Sequence, residues 1–398
     1  MTQRPIYMDG HATTPVDPRV AEVVLRMMTE EFGNAASEQH AYGNAAKEVV
    51  ESSRATVADA LNVSPREIVF TSGATESNNL AIRGLLERDQ SSRRQIVALT
   101  TEHKAVLDPL SRAARQGFDV KYVGVRQADE QFAGLVDLNE LEAAVCDETL
   151  LVCVMLANNE IGAIQQLTEV AELCHRHGAL LFCDAVQALG KIPVDLGKLG
   201  VDLASFSAHK MYGPKGAGAL YIRRSVQLAA QIDGGGHERG LRSGTLNVPG
   251  IAGFAEAVKI CQEEMPDEAN GLQVLRDQLY EKIRDQLDGV FLNGPSLDAR
   301  TDNQSLARLP HNLNCSFAGV DGDALMAAIQ PLAVSSGSAC TTSDPRPSHV
   351  VSALGRNEQL TRASLRFGLG RFNTSEEVEQ AAELVTSAVK RLRKLTTK

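Results

Sequence analysis

The chain has 398 residues, of which 43% are hydrophobic and 23% charged, and its formal net charge is −10. This composition is typical of a soluble globular protein, and the length predicts two domains, or one large domain with a smaller partner. An acidic chain with a pI of about 5.5 disfavours nucleic acid or an acidic membrane surface as the main partner. No apolar stretch approaches the roughly 20 residues that span a bilayer. The N-terminus lacks the apolar core of a secretory signal, so we expect a cytoplasmic protein.

In the first half of the chain, from about residue 44 to 222, short apolar runs alternate with helical periodicity. This alternation predicts an α/β architecture with a mostly parallel, buried sheet. Ligands of such sheets bind at the carboxyl ends of the strands, so polar residues that follow an apolar run are candidate site residues. The predicted strands cover residues 67–70, 95–100, 150–156, 179–183, 202–207 and 218–222, and the clearest helices cover 44–62 and 168–177.

The pattern changes after the glycine-rich stretch at 234–236. We predict a smaller α+β domain there, with its boundary near residue 265. Thr374 and Glu377 form a capping-box signature for the terminal helix. The predicted elements are helices at 251–264, 271–287 and 321–330, strands at 290–293, 312–317 and 364–369, and a helix from about 374.

The first candidate site segment, residues 71–79, lies between a predicted strand and an apolar helix. Small and hydroxyl residues such as Ala74 and Thr75 at a helix start can bind an anion through free backbone N–H groups and the helix dipole. A well-capped helix start without a ligand is equally compatible with these residues.

His103 follows the next predicted strand. A histidine at that edge can stack on a ring and move protons near neutral pH, although a lone histidine is more often structural. Asp184 ends the strand at 179–183, with Gln187 close behind. A carboxylate there can keep a pyridine nitrogen protonated, and the amide can donate to a ring oxygen. A turn or helix-cap role for Asp184 is the alternative.

Lys210 follows Ser207 and His209 at the end of the strand at 202–207, just before a glycine-rich loop. A desolvated lysine has a lowered pKa and can form a Schiff base with an aldehyde. The neighbouring hydroxyl and imidazole groups can hold a phosphate. The alternative is an ordinary surface lysine.

The chain has seven cysteines, an odd number without metal-type spacing, so we expect neither structural disulfides nor a metal site. Six lie among apolar neighbours and are predicted to be buried, inert thiols. Cys340 lies among small, turn-forming residues at 335–345, which indicates an exposed loop and a reactive thiol. Arg366, inside the apolar strand at 364–369, is suited to a substrate carboxylate or to an internal salt bridge.

These segments occur together and in order as TSGATESNNLAI, TEHKAVL, NNEIG, CDAVQ, SFSAHKMYGPKG, GGGHERGLRSGT, SSGSAC and LRFGLGR. The chain closely resembles the NifS/IscS-type cysteine desulfurases, class V aminotransferase relatives that depend on pyridoxal 5'-phosphate (PLP), from residue 7 to about 392. The resemblance implies PLP-dependent transferase fold type I. It implies a large PLP-binding domain at 16–264, and a small domain of 1–15 and 265–398 that carries a mobile loop with the catalytic cysteine.

The resemblance also implies the site. Lys210 would form the Schiff base with PLP, and His103 would stack on its ring and act in catalysis. Cys340 would accept the sulfur of L-cysteine as a persulfide, leaving L-alanine, and pass it to acceptor proteins such as an iron–sulfur scaffold. The remaining PLP contacts would be Ala74, Thr75, Asp184, Gln187, Ser207, His209 and, from the other subunit of a homodimer, Thr245. Asn159 and Arg366 would orient the substrate carboxylate.

Some positions depart from the family pattern. Ala35, Ala157 and the pair Gly10-His11 stand where the family usually has other residues. The chain ends at Lys398, and the C-terminal extension with which IscS-type members dock a scaffold is expected to be missing. A selenocysteine lyase, a class V aminotransferase, or a sulfur-relay or scaffold-binding protein remain alternatives. Cys340 counts against an aminotransferase, and the joint presence of Lys210, Asp184 and His103 counts against a protein without catalysis.

Overall fold

The computed structural model describes residues 5–336 and 346–396, and its central feature is a seven-stranded sheet. The strands in these residues are β1 (Ile6–Tyr7), β2 (Ile68–Thr71), β3 (Gln95–Leu99), β4 (Asp119–Val123), β5 (Thr149–Cys153), β6 (Leu180–Asp184), β7 (Leu203–Ser207), β8 (Gly218–Ile222), β9 (Val290–Leu292), β10 (Asn312–Phe317), β11 (Leu332–Ala333) and β12 (Ser364–Gly368). The order in the large sheet is β2-β8-β7-β6-β5-β3-β4. Strand β8 is antiparallel to both neighbours and the other pairs are parallel, so the prediction of a mostly parallel sheet is confirmed.

The helices cover the sheet and build most of the smaller part of the molecule. They are α1 (Pro18–Thr29), α2 (Ala41–Ala60), α3 (Ala74–Arg88), α4 (Lys104–Arg115), α5 (Leu138–Ala144), α6 (Leu167–Arg176), α7 (Leu196–Leu199), α8 (Val248–Arg284), α9 (Gly322–Ala328), α10 (His349–Ala353), α11 (Glu358–Arg362) and α12 (Ser375–Thr396). Across the described ranges, no helix combines the length and apolar character needed to cross a membrane.

The large sheet is buried on both faces because alternate residues of its strands enter two different cores. Ile68 and Phe70 of β2 belong to one hydrophobic cluster, whereas Val69 between them belongs to the other. Near-continuous apolar runs are the sequence signature of such doubly covered strands. The six strands predicted in this half were found from that signature.

The edge strand β4 was missed by the sequence analysis. Among the described residues it pairs with β3 alone, and its first four residues are exposed or only partly buried. Asp119 and Lys121 interrupt its apolar pattern, which is how edge strands commonly avoid unwanted pairing.

Helix α8 corrects the predicted pair of helices at 251–264 and 271–287. It is a single helix of 37 residues that continues through Pro266. Its first half packs into the cluster under the large sheet, and its second half packs into a separate cluster with β10, β12 and α12. This packing on both sides compensates for the backbone hydrogen bond that is lost because Pro266 has no N–H. The predicted domain boundary at 264–265 lies within this helix, and the division into two domains stays a prediction.

The smaller part contains the antiparallel sheet β12-β10-β9 and the short parallel pair β1-β11. The predicted capping box of the last helix is confirmed. The Thr374 N–H donates to Glu377 Oε2, and the Glu377 N–H donates to Thr374 Oγ1, both at 3.3 Å.

Candidate active site

A cavity of about 540 Å³ opens at the carboxyl ends of the parallel strands. Strands β2, β3, β5, β6 and β7 point the same way, so the segments that follow them meet at one edge of the sheet. The cavity collects every predicted site residue in the described ranges except Thr245: Ala74, Thr75, His103, Asn159, Asp184, Gln187, Ser207, His209, Lys210 and Arg366.

One end of the cavity is formed by the start of α3. Its N-cap is Gly73, which makes no side-chain capping hydrogen bond and has a φ of 146°, a value that favours glycine. The first backbone N–H groups of a helix have no partner within the helix, so those of Ala74 and Thr75 are suited to an anion. Ser207, at the end of β7, lies next to this helix start.

His209 adds an imidazole to the same end. Its Nδ1 lies 3.1 Å from Thr13 Oγ1. Burial, together with the nearby positive charges of Lys210 and Lys215, lowers the pKa of His209 to about 4. Two lysines beside an uncapped helix start make this end electropositive, and it therefore favours an anionic group such as a phosphate.

Asp184 places a buried carboxylate on the wall of the cavity. The side chain is held by Asn78 Nδ2, which donates to Oδ2 at 3.0 Å, and by the Val186 N–H, which donates to Oδ1 at 3.1 Å. A carboxylate fixed in this way can accept a hydrogen bond from a protonated ring nitrogen.

The Lys210 amine lies across the cavity in the short 3-10 segment Ala208–Lys210. It donates to the backbone carbonyl oxygens of His11 and Ala12, at 2.5 and 2.8 Å. Gln187 donates to the same His11 oxygen at 3.0 Å. The segment at 11–12 therefore holds two predicted cofactor contacts in place.

His103 is the N-cap of α4, and its orientation is fixed by the backbone. Nδ1 accepts a hydrogen bond from the Ala105 N–H at 3.0 Å. The proton of the neutral imidazole is therefore on Nε2. The preceding residue, Glu102, is fully buried, and burial raises the pKa of its carboxyl group well above the ordinary value.

Arg366 reaches the cavity from β12 of the smaller sheet and is 1% exposed. Nη2 donates to Asp9 Oδ1 at 2.9 Å, and Nη1 donates to the backbone carbonyl of Asn159 at 3.1 Å. Within the described ranges, Nε has no hydrogen-bond partner. The internal salt bridge considered for Arg366 is thus present, and Nε remains as a further donor.

One predicted site residue of the described ranges lies outside the cavity. Thr245 is exposed and does not line this chain's cavity. Its loop is attached near the cavity by the ion pair of Arg242 Nε with Glu76 Oε1, at 2.7 Å. Cys340 lies outside the described residues.

The sequence analysis missed several residues that line the cavity or hold its lining residues in place. Asp9, His11 and Thr13 arrive from the segment before α1, where the unusual pair Gly10-His11 was the only signal in the sequence. Asn78, one turn inside α3, lies in the candidate segment 71–79, but no role was assigned to it. The hydrogen bonds that connect them to Arg366, Gln187, His209 and Asp184 span long sequence distances and leave no local pattern.

Comparison with known proteins shows which family this chain resembles. The family model "Aminotransferase class-V" matches residues 6–381. The protein "Cysteine desulfurase IscS" of Photorhabdus laumondii is 50% identical over 396 residues, covering 98% of this chain and 94% of the relative. The protein of the same name from Anaeromyxobacter sp. (strain Fw109-5) is 51% identical with the same coverage. A solved structure described as "NIFS-LIKE PROTEIN" superposes with a TM-score of 0.88 at 38% identity, covering 98% of this chain and 100% of that one.

Proposed function

The chain belongs to the class-V aminotransferase family and, within it, to the PLP-dependent cysteine desulfurases, and we propose that it converts L-cysteine to L-alanine with the sulfur held as a persulfide on Cys340. The alternatives of selenocysteine lyase and of a relay protein without catalysis are not favoured, because the full-length relatives are named as cysteine desulfurases. The cavity also has the groups that catalysis requires.

The observation that carries the proposal is the fit of the cavity to PLP. An uncapped helix start, a buried carboxylate and a lysine amine line one cavity, and they match the phosphate, the pyridine nitrogen and the aldehyde of that molecule. Bound PLP supplies an electron sink for the substrate's α-carbon.

The phosphate would be held by the N–H groups of Ala74 and Thr75 and by the side chains of Thr75, Ser207 and His209. Burial and the charges of Lys210 and Lys215 lower the pKa of His209 to about 4, so its imidazole is neutral near pH 7. A phosphate dianion beside His209 would favour the protonated form of the imidazole.

Asp184 would accept the hydrogen bond of the ring nitrogen, and Gln187 would donate to the ring's phenolic oxygen. Asn78 and the Val186 N–H fix both carboxylate oxygens, so Asp184 needs little rearrangement on binding. His103 would lie against the ring, with its position fixed by the N-cap hydrogen bond.

Lys210 would hold the cofactor covalently, and its amine would also serve as a proton carrier. The carbonyls of His11 and Ala12 give the free amine a defined position. His103 Nε2 would be a second site of proton transfer, since histidine exchanges protons readily near neutral pH.

The substrate carboxylate would bind at Arg366 and Asn159. Arg366 supports this assignment because it lines the cavity and its guanidinium, held by Asp9 Oδ1, presents a planar set of donors that suits a carboxylate. Asn159 already positions the guanidinium through its backbone carbonyl.

Sulfur transfer completes the proposed reaction. The thiolate of Cys340 bonds to the substrate sulfur while the carbon–sulfur bond breaks, and the carbon takes up a proton to become the methyl group of alanine. The products are one alanine and one enzyme persulfide, so no external oxidant or reductant is needed for this step. A thiol that reduces the persulfide, or an acceptor protein such as an iron–sulfur scaffold, then restores Cys340.

We place the enzyme in the cytoplasm as a homodimer. The six described cysteines are all free thiols, in keeping with a reducing compartment. Exposed apolar side chains around the end of α1 support a subunit interface, as does the position of Thr245 on a loop outside its own cavity. The exposed fractions in this group are Leu25 61%, Met28 62%, Phe32 64% and Tyr42 57%.

The test is product stoichiometry. The purified enzyme, loaded with PLP, is incubated with L-cysteine and an excess of a small thiol. Alanine and sulfide formed in equal amounts support the proposal. Pyruvate or ammonia as the main product would show a different cleavage and overturn it.

A further inference from the structure

His11 contacts two predicted cofactor-binding residues, Gln187 and Lys210. It is not itself one of the residues that the family resemblance assigns. Its side chain is 1% exposed and stacks on His311, with ring centroids 4.5 Å apart. It also packs closely on Gly368, where an added Cβ would lie 2.7 Å from His11 Cδ2. The ring therefore has one position, and its two nitrogens have defined partners.

The direction of the hydrogen bonds made by the two ring nitrogens of His11 follows from Arg308, which can only donate. Arg308 Nη1 donates to Asn312 Oδ1 at 2.8 Å, and this contact fixes the orientation of the Asn312 amide. Asn312 Nδ2 then donates to the Glu160 carbonyl and faces His11 Nε2, each at 3.0 Å. Nε2 is therefore the acceptor, and the proton of the neutral ring lies on Nδ1.

The direction of the hydrogen bond between His11 and Gln187 follows from the position of that proton. His11 Nδ1 lies 3.1 Å from Gln187 Oε1 and donates to it. Gln187 Nε2 donates to the His11 carbonyl oxygen at 3.0 Å. An amide nitrogen carries two hydrogens, so one N–H of Gln187 remains for the cavity.

The His11 imidazole is neutral, so the directions of its hydrogen bonds do not change. Burial, followed by the positive charge of Arg366, lowers the pKa of His11 to about 3. The imidazole is thus neutral near pH 7, and its tautomer does not change with ordinary variation in pH.

We propose that His11 is a positioning residue that fixes the direction of the Gln187 amide, so that an N–H rather than the oxygen faces the phenolic oxygen of PLP. The proposal rests on the proposed function, because it requires the contact of Gln187 with PLP. Without the His11 imidazole the Gln187 amide loses one of the two contacts that select its orientation and keeps only the backbone carbonyl of residue 11, so the hydrogen bond to the cofactor weakens.

The test compares two substitutions within one ring stack. His11→Phe removes both ring nitrogens, whereas His311→Phe keeps the stack and leaves the Gln187 hydrogen bonds in place. Gln187→Ala and the double variant His11→Phe/Gln187→Ala complete a cycle. The readouts are the pH titration of the bound cofactor's visible absorption and the rate at which PLP dissociates from the holoenzyme.

We expect His11→Phe to shift the titration in the same direction as Gln187→Ala. It should also speed PLP dissociation about two- to tenfold, the equivalent of one neutral hydrogen bond. The double variant should add little to Gln187→Ala, and His311→Phe should match the wild type. If His11→Phe does not fold, His11→Ala, which removes volume rather than adding it, takes the same test with the same expected result.

Three outcomes would overturn the inference: a wild-type titration for His11→Phe, an equal shift for His311→Phe, or full additivity in the double variant. A wild-type titration for Gln187→Ala would overturn the contact of Gln187 with PLP as well. If the titration shifts in Gln187→Ala and does not shift in His11→Phe, only the proposed role of His11 is overturned.

Discussion

Arg366 and Asp9 form a partly buried ion pair at the cavity, with Nη2 of the guanidinium 2.9 Å from Oδ1 of the carboxylate. Ser335 donates to the same Asp9 oxygen at 2.9 Å. A substrate carboxylate that binds Arg366 must therefore share the guanidinium with Asp9. The planar fork of arginine permits this, because it presents several donors in different directions.

Substitution Arg366→Lys tests this arrangement. Lysine keeps the charge but loses the fork, so it cannot serve Asp9, the Asn159 carbonyl and a substrate together. We expect KM for L-cysteine to rise about ten- to a hundredfold, as for a lost charged hydrogen bond, with the cofactor still bound. Arg176→Lys, in an exposed pair with Glu142, is the matched control and should behave as the wild type. An unchanged KM in Arg366→Lys would show that the substrate carboxylate binds elsewhere.

Lys210→Ala should abolish turnover while leaving the cavity able to bind PLP. The phosphate and ring contacts do not involve the lysine, whereas covalent attachment and proton transfer do. We expect kcat to fall by about three orders of magnitude or more, with PLP removable by gel filtration. Lys198→Ala, at an exposed position, serves as control. Substantial turnover in Lys210→Ala would contradict the assignment of Lys210.

The core of the site was predictable from the sequence, and its surroundings were not. Asp184, Ser207 and Lys210 each follow an apolar strand, and the parallel direction of those strands brings them together. No such rule predicts Asp9 and His11, because they reach the cavity from a segment beside the smaller sheet. Their partners are far away in the chain, so no local periodicity reveals them.

Two errors in the predicted fold have different origins. Two helices were predicted at 251–264 and 271–287, but tertiary packing on both halves of α8 keeps the helix continuous through Pro266. Strand β4 was missed because its side chains are exposed, so the apolar pattern used to find the other strands is absent there.

Glu238 should contribute strongly to folding. It is buried, pairs with Arg54 at 2.7 Å, and accepts the Phe70 N–H of β2 at 2.7 Å. Glu238→Ala leaves a buried guanidinium without its main partner, so we expect the free energy of unfolding to fall by about 3–5 kcal/mol. Urea unfolding of the apoprotein measures this. Glu142→Ala, in an exposed pair, should change it by no more than about 1 kcal/mol. A similar effect for both variants would argue against the buried pair.

The stability of the apoprotein should depend on His11 in acid. The pKa of His11 is about 3 in the folded chain, against an ordinary value of 6.5, so the folded state binds this proton less readily. The contribution is fully present above pH 6.5 and is lost as the pH falls towards 3. Besides burial, the positive charges of Arg366, Lys210 and Lys191 oppose protonation, whereas the Gln187 hydrogen bond favours it.

Below pH 6.5 the wild type should therefore lose stability more steeply than His11→Phe, by up to about 1.4 kcal/mol per pH unit. Urea unfolding of the apoproteins at several pH values gives the two slopes. His177→Phe, whose ring pairs with Asp147 at the surface, is the control. Equal slopes for the wild type and His11→Phe would mean that His11 protonates as easily when folded as when unfolded.

The most direct measurement of the central claim is the intact mass of the enzyme after L-cysteine is added without a reducing thiol. The account predicts that the wild type gains one sulfur atom and releases one alanine per active site. Cys340→Ala should gain none and release little alanine, while it keeps the colour of bound PLP. Cys146→Ala, which removes the partly exposed cysteine among the described residues, should behave as the wild type. Wild-type alanine release by Cys340→Ala would contradict the account, because sulfur would then leave the substrate without a persulfide on that cysteine.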